Sequence, residues 1–251
     1  MTRGRRVLCV VALGIAGGCG GSEPPPQLDG LDAAAWVARL DGKSTREAAV
    51  ARLEEAGVAA VPLLGAILAT DGEVSRGIAL ERLARIGPDA AEVIPAITPM
   101  LVEKDPRLRV MAAIALGRIG KPDPDAVVQL ERSLYDPDPR VRVSAALAAW
   151  SITGDSDTAH EILIQGLANP GAEVRAMAAE AFQILGGEGV TALLIGLIDP
   201  NPGVRAAAAT ALGNIGPDAK RARPALEKMQ NDPHPRVRAA VRDALDAIPA
   251  K

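Results

Sequence analysis

Few of the residues that most often build reactive centres occur in this 251-residue sequence. It has four aromatic residues, Trp36, Tyr135, Trp150 and Phe182, and two cysteines, Cys9 and Cys19. Only two histidines are present, His160 and His234. So few aromatics argue against a stacking platform for single-stranded nucleic acid. Two distant histidines exclude a histidine-rich metal centre and cannot assemble a Ser-His-Asp constellation, and no glycine loop of the phosphate-cradling kind occurs. No cofactor and no metal are therefore expected, and the expected function is non-catalytic. Hydrophobic residues make up 48% and charged residues 24%, a composition neither disordered nor fibrous.

What is present begins with an address. Arg3, Arg5 and Arg6 precede an apolar run from Val7 to Ala16, too short to span a bilayer and the size of a signal-peptide core. Ala16-Gly17-Gly18-Cys19 resembles the lipobox of bacterial lipoproteins, with alanine where leucine is usual. That resemblance implies a signal peptide over 1–18 and a lipidated Cys19. It also implies an exported, lipid-anchored protein of the cell envelope, with Gly20 favouring the outer over the inner membrane. A secretory signal cut at a nearby small residue is the alternative. Removing three arginines and no acid takes the net charge from −3 to −6, which disfavours nucleic acid as a partner. Residues 20–30 are rich in glycine and proline, so 19–30 is read as a lipidated cysteine and flexible tether.

The rest, 31–251, is one unit repeated. Asp136-Pro137-Asp138-Pro139-Arg140-Val141-Arg142 recurs from Asp199 to Arg205 and from Asp232 to Arg238. Taking the last arginine as a marker gives Arg46, Arg76, Arg109, Arg142, Arg175, Arg205 and Arg238, spaced 30 or 33 residues apart. Three, seven and ten residues past each marker stand small or apolar residues, for example Ala112, Leu116 and Ile119. Those offsets share one face of an α-helix. Glycine follows at five of the seven helix ends, and Thr153 replaces it in the fourth. A second apolar stretch follows each marker helix, so each unit is a helical hairpin that completes its core by stacking. About a fifth of the chain is alanine, which suits close helix contact.

These residues resemble HEAT-like repeats of the phycobilin-lyase type, most fully over 199–216. The resemblance implies an all-α, right-handed solenoid of about six to seven hairpins. It further implies structural ladders between repeats, built by Arg109, Arg142, Arg175, Arg205 and Arg238 with Asp136, Asp199 and Asp232. In related solenoids the second helices line the concave surface, so their outward positions are the first binding candidates. Register places Glu131, Arg132, Ile164, Gln165, Leu194 and Ile195 among these, with Ile164, Leu194 and Ile195 forming an apolar spot. A basic cluster of Lys220, Arg221, Arg223 and Lys228 is a second candidate. His160-Glu161 resembles one His-Glu pair of HEAT-repeat di-iron hydroxylases, which need several such pairs. The expected role is a monomeric scaffold binding a protein or peptide partner. A structural spacer stands as the alternative, with an enzyme such as a bilin lyase as the least favoured.

Overall fold

The structure, a computed structural model, describes residues 26–154, 157–187 and 189–249. Segment 1–18, Cys19 and the tether up to residue 25 lie outside the described residues. The rest folds as an all-α array of six hairpins between two single helices, α1 (Ala33–Asp41) and α14 (Pro235–Ala247). One layer holds the marker helices α2 (Arg46–Ala56), α4 (Glu73–Ile86), α6 (Pro106–Ile119), α8 (Pro139–Thr153), α10 (Ala172–Leu185), α12 (Pro202–Ile215) and α14. The other holds α3 (Val61–Leu68), α5 (Ile94–Ile97), α7 (Pro124–Ser133), α9 (Asp157–Leu167), α11 (Gly189–Gly196) and α13 (Arg223–Lys228). Prolines at 88, 95 and 99 break the second half of one hairpin into short 3₁₀ turns around α5. Among the described residues there is no strand, and no helix is long and apolar enough to cross a membrane.

The repeat motif has a mechanical reading. In Asp136-Pro137-Asp138-Pro139 the first aspartate accepts the Asp138 N–H at 2.8 Å, bending the chain. The second caps α8 by accepting the Arg140 N–H at 2.9 Å. Proline then occupies the first helical position, where a missing N–H costs little. Asn201 and His234 cap α12 and α14 in the same way, and Asp32 caps α1. The side chains three and seven residues past every marker arginine are buried, from Ala49 and Leu53 to Val241 and Leu245. The fourth repeat departs as the missing glycine foreshadows. Helix α8 runs one residue longer, and Gly154 closes it at φ +79°.

The marker layer is the tighter one. A Cβ on Gly117 would stand 2.9 Å from the Ala148 Cα, and one on Gly213 3.0 Å from the Ala244 Cα. Glycine is required at both, because the helix backbones meet there. Between second helices a side chain intervenes, as where Ile164 lies against Gly196. The marker helices of these pairs therefore stand closer to one another than the second helices do.

Candidate functional site: a groove among the marker helices

Each marker arginine first holds its own turn. Arg142 Nη1 donates to the carbonyls of Asp136 at 2.7 Å and Pro137 at 3.2 Å. Arg109, Arg175, Arg205 and Arg238 do the same to the two carbonyls at the equivalent places. These are carbonyls just past the preceding helix, which no helical N–H can reach. Some arginines then reach the next repeat. Arg109 Nε and Nη2 clasp Asp136 at 2.8 and 2.9 Å, and Arg205 clasps Asp232 at 2.9 and 3.1 Å. The Arg205 guanidinium holds the Asp232 carboxyl below the ordinary carboxylate range. Arg76 reaches Glu103 at 2.8 Å.

The expected ladder is interrupted. Among the described residues Arg142, Arg175 and Arg238 make no bond to a following repeat, and Asp199 accepts only the Asn201 N–H. Asn169 stands 27 residues past Arg142, where Asp136 stands past Arg109 and Asp232 past Arg205. The 30-residue spacing from Arg175 to Arg205 removes the equivalent register from the next turn.

The second-helix candidates scatter. Ile164 is 7% exposed and packs on Gly196, so it is core and not surface. Leu194 is half-buried, while Ile195 is 59% exposed and Gln165, Glu131 and Arg132 are exposed. The physical reason is angular. Ile164 and Leu194 stand three places before buried Leu167 and Leu197, roughly 60° round the helix, and as apolar residues turn inward with them, whereas the charged Glu131 before Leu134 stays in solvent. Ile195 is therefore parted from Ile164, which is buried, while Leu194 is turned partly inward. The basic cluster is partly structural too, since Arg221 donates to Gly187 O and Thr191 Oγ1, and Arg223 to the carbonyls of Leu245 and Ile248. His160 sits edge-on against Trp150, ring centres 3.7 Å apart, and its Nε2 is buried without a partner. Glu161 bonds Gln165 instead. Among the described residues no three His, Cys, Asp or Glu side chains gather as ligands.

An apolar groove opens elsewhere, across α6, α8 and α10 of the marker layer. It encloses about 140 Å³, lined by Ile114, Leu147, Met177 and Ile184 over a floor of Gly117 and Ala148. Arg118 and Glu180 stand at its edges, exposed and without an ion pair among the described residues. Ser144 lines it as well, only 4% exposed, with an Oγ that finds no hydrogen-bond partner. A buried hydroxyl left unpaired is costly, and an incoming polar atom would relieve it.

These residues stand two, five, six, eight and nine places past a marker arginine, on the marker helices and not on the second helices. The signal was available. Five and nine places past the marker the second repeat has Glu81 and Arg85, and the sixth has Thr210 and Asn214. The third to fifth repeats place one apolar residue there each, Ile114, Leu147 and Ile184, with Arg118, Ser151 and Glu180 at the other place. In the second repeat the same face is closed by ions: Arg82 pairs with Glu54 and Glu81, and Arg85 reaches Glu81 at 3.0 Å.

HEAT repeats match residues 61–151 and 160–246. No curated protein matches the chain in sequence. Among solved structures, human deoxyhypusine hydroxylase in complex with glycerol is 21% identical, with 86% of this chain and 95% of that one covered and a TM-score of 0.42. Kap121p is 17% identical, with 85% and 26% covered and a TM-score of 0.48. A designed armadillo repeat protein is 18% identical, with 87% and 100% covered and a TM-score of 0.37. None of these likenesses carries an activity across. The family match spans more than half of the chain and coincides with the stacked hairpins, and the chain belongs to the HEAT-repeat family.

Proposed function

We propose that this HEAT-repeat array is a non-catalytic scaffold that holds a peptide segment of a protein partner in the groove across α6, α8 and α10. The observation that supports it is the groove itself: Ile114 and Ile184 exposed, with half-buried Leu147 and Met177, beside a buried Ser144 hydroxyl that has no partner among the described residues. Apolar surface gathered in a concavity is a common mark of a binding site. The volume suits one or two apolar side chains, and Arg118 and Glu180 offer charges of both signs to the flanking residues. The sequence supports an envelope address, with export by the segment 1–18 and lipidation at Cys19, the tether holding the array off the membrane.

Affinity capture from native envelope, comparing wild type with Ile184→Asp, tests the groove. The expected result is a partner retained by wild type and lost from the variant, with unchanged helix content. Equal retention would overturn the groove reading and favour a spacer whose function lies in its ends. Labelling with a radioactive fatty acid tests the anchor: Cys19→Ser is expected to abolish incorporation, and unchanged labelling removes the anchor from the proposal.

A further inference from the structure

A second concavity, of about 250 Å³, lies at the turns between the fourth, fifth and sixth repeats. It shares only Val143 with the groove, and it is lined by Arg142, Gln165, Asn169 and Asn201 among others. No acidic residue lines it. The repeats on either side show what such a place ordinarily holds. In every marker arginine from Arg109 to Arg238, Nη1 is pinned by two turn carbonyls, which fixes the plane of the guanidinium. In Arg109 and Arg205 the opposite edge, Nε and Nη2, then grips a carboxylate from the next repeat with two hydrogen bonds. Arg142 is pinned at 2.7 and 3.2 Å, yet among the described residues its Nε and Nη2 make no hydrogen bond. The expected carboxylate is replaced by Asn169, whose Oδ1 is turned to the Gly171 N–H at 2.9 Å.

We infer that Arg142 is a receptor for a carboxylate supplied from outside the chain, bound through Nε and Nη2 in the manner of Asp136 on Arg109. The fork of donors matches the two oxygens of a carboxylate, and its orientation is set before the ligand arrives. The ligand class is thus a carboxylate, either a free small acid or one borne by a peptide as an acidic side chain or a carboxyl terminus. This inference is independent of the apolar groove and survives its failure.

The test follows the arginine Nε–Hε resonances of the full chain, labelled with ¹⁵N. Four titrants are compared: sodium acetate, trialanine with a free carboxyl terminus, the same peptide amidated, and acetyl-Ala-Glu-Ala-amide. The expected result is a saturable shift of Arg142, with Arg109 and Arg205 unmoved because their forks are filled. Response to acetate identifies a small acid as sufficient. Response to only one of the carboxylate-bearing peptides assigns the carboxyl terminus or the acidic side chain as the source. Asn169→Asp supplies an internal carboxylate while keeping the acceptor for Gly171 N–H, so it leaves the turn intact. It should weaken binding by about tenfold or more, the size of one charge-assisted pair. Binding undiminished in Asn169→Asp, a response to the amidated trialanine equal to that of the free acid, or equal shifts at exposed Arg107 and Arg118 would overturn the inference.

Discussion

Between α4 and α8, and again between α12 and α14, the marker helices nearly touch backbone to backbone, whereas α10 sits loosely between α8 and α12. The difference traces to one position, eight residues past the marker arginine. There α6 and α12 carry Gly117 and Gly213, each meeting an alanine of the next helix, while α8 carries Trp150 and α10 carries Gln183. A glycine lets the following helix close in, and an indole or a glutamine side chain does not. The same junctions lack the arginine clasp: Arg109 and Arg205 grip the next turn, and Arg142 and Arg175 do not. The turn cavity opens along this looser stretch, and the groove lies at its border, floored by the tight Gly117–Ala148 contact and walled by α10. In a linear array each junction has its own strength, so one stretch can be loosened for binding without weakening the rest.

Trp150→Ala tests the loose stretch hardest. Trp150 is 3% exposed and closes the space above His160, so its removal should cost about 3–5 kcal/mol. Chemical denaturation is expected to show the midpoint fall and the transition broaden as the two tight blocks part company; an unchanged curve would break the comparison.

At the tight junctions the contact glycines should tolerate nothing. Gly213→Val forces a side chain into the Ala244 backbone and should cost about 1–3 kcal/mol, while Gln183→Val, at the matching place in the loose stretch, should stay within about 0.5 kcal/mol. Equal costs in thermal melts would mean that the two kinds of junction are alike.

The carboxylates sharpen the contrast through pH. Asp232 has its folded-state pKa held below the ordinary value by Arg205, so its contribution is present above that ordinary value and drains away as pH falls through the lowered one. Asp232→Asn should therefore lower stability at neutral pH, by about 1–3 kcal/mol, and flatten the acid limb of the stability profile. Asp199→Asn, at a carboxylate that grips no arginine, should change both far less. Parallel pH profiles for the two variants would dissolve the distinction.

Much of the architecture could be read from residue spacing. The buried pair three and seven places past each marker, the capping aspartates and the closing glycines are local rules, and local rules survive translation into structure. The binding surface was less legible. Ile164 was assigned outward because its register was counted from Leu167, and helical geometry turns a residue three places away toward the same side. The groove went unseen because Ile114, Leu147 and Ile184 are individually ordinary helix residues. Only comparing two places across the repeats shows Ile114 and Leu147 where Glu81 and Thr210 stand, and Ile184 where Arg85 and Asn214 stand. The interrupted ladder had a sequence trace in Asn169, but whether an arginine grips its neighbour depends on where two turns lie in space.

The chain's only two tryptophans fall on opposite sides of this division. Trp36 is fully buried in the first helix, its indole N–H donating to the Leu28 carbonyl at 3.1 Å. Trp150 is buried at the loose centre, edge-on to an imidazole. Fluorescence therefore comes from two chromophores that report separate parts of one rod. With Trp36→Phe the remaining indole emission belongs to the centre alone, so changes beside the groove become readable without attaching any dye.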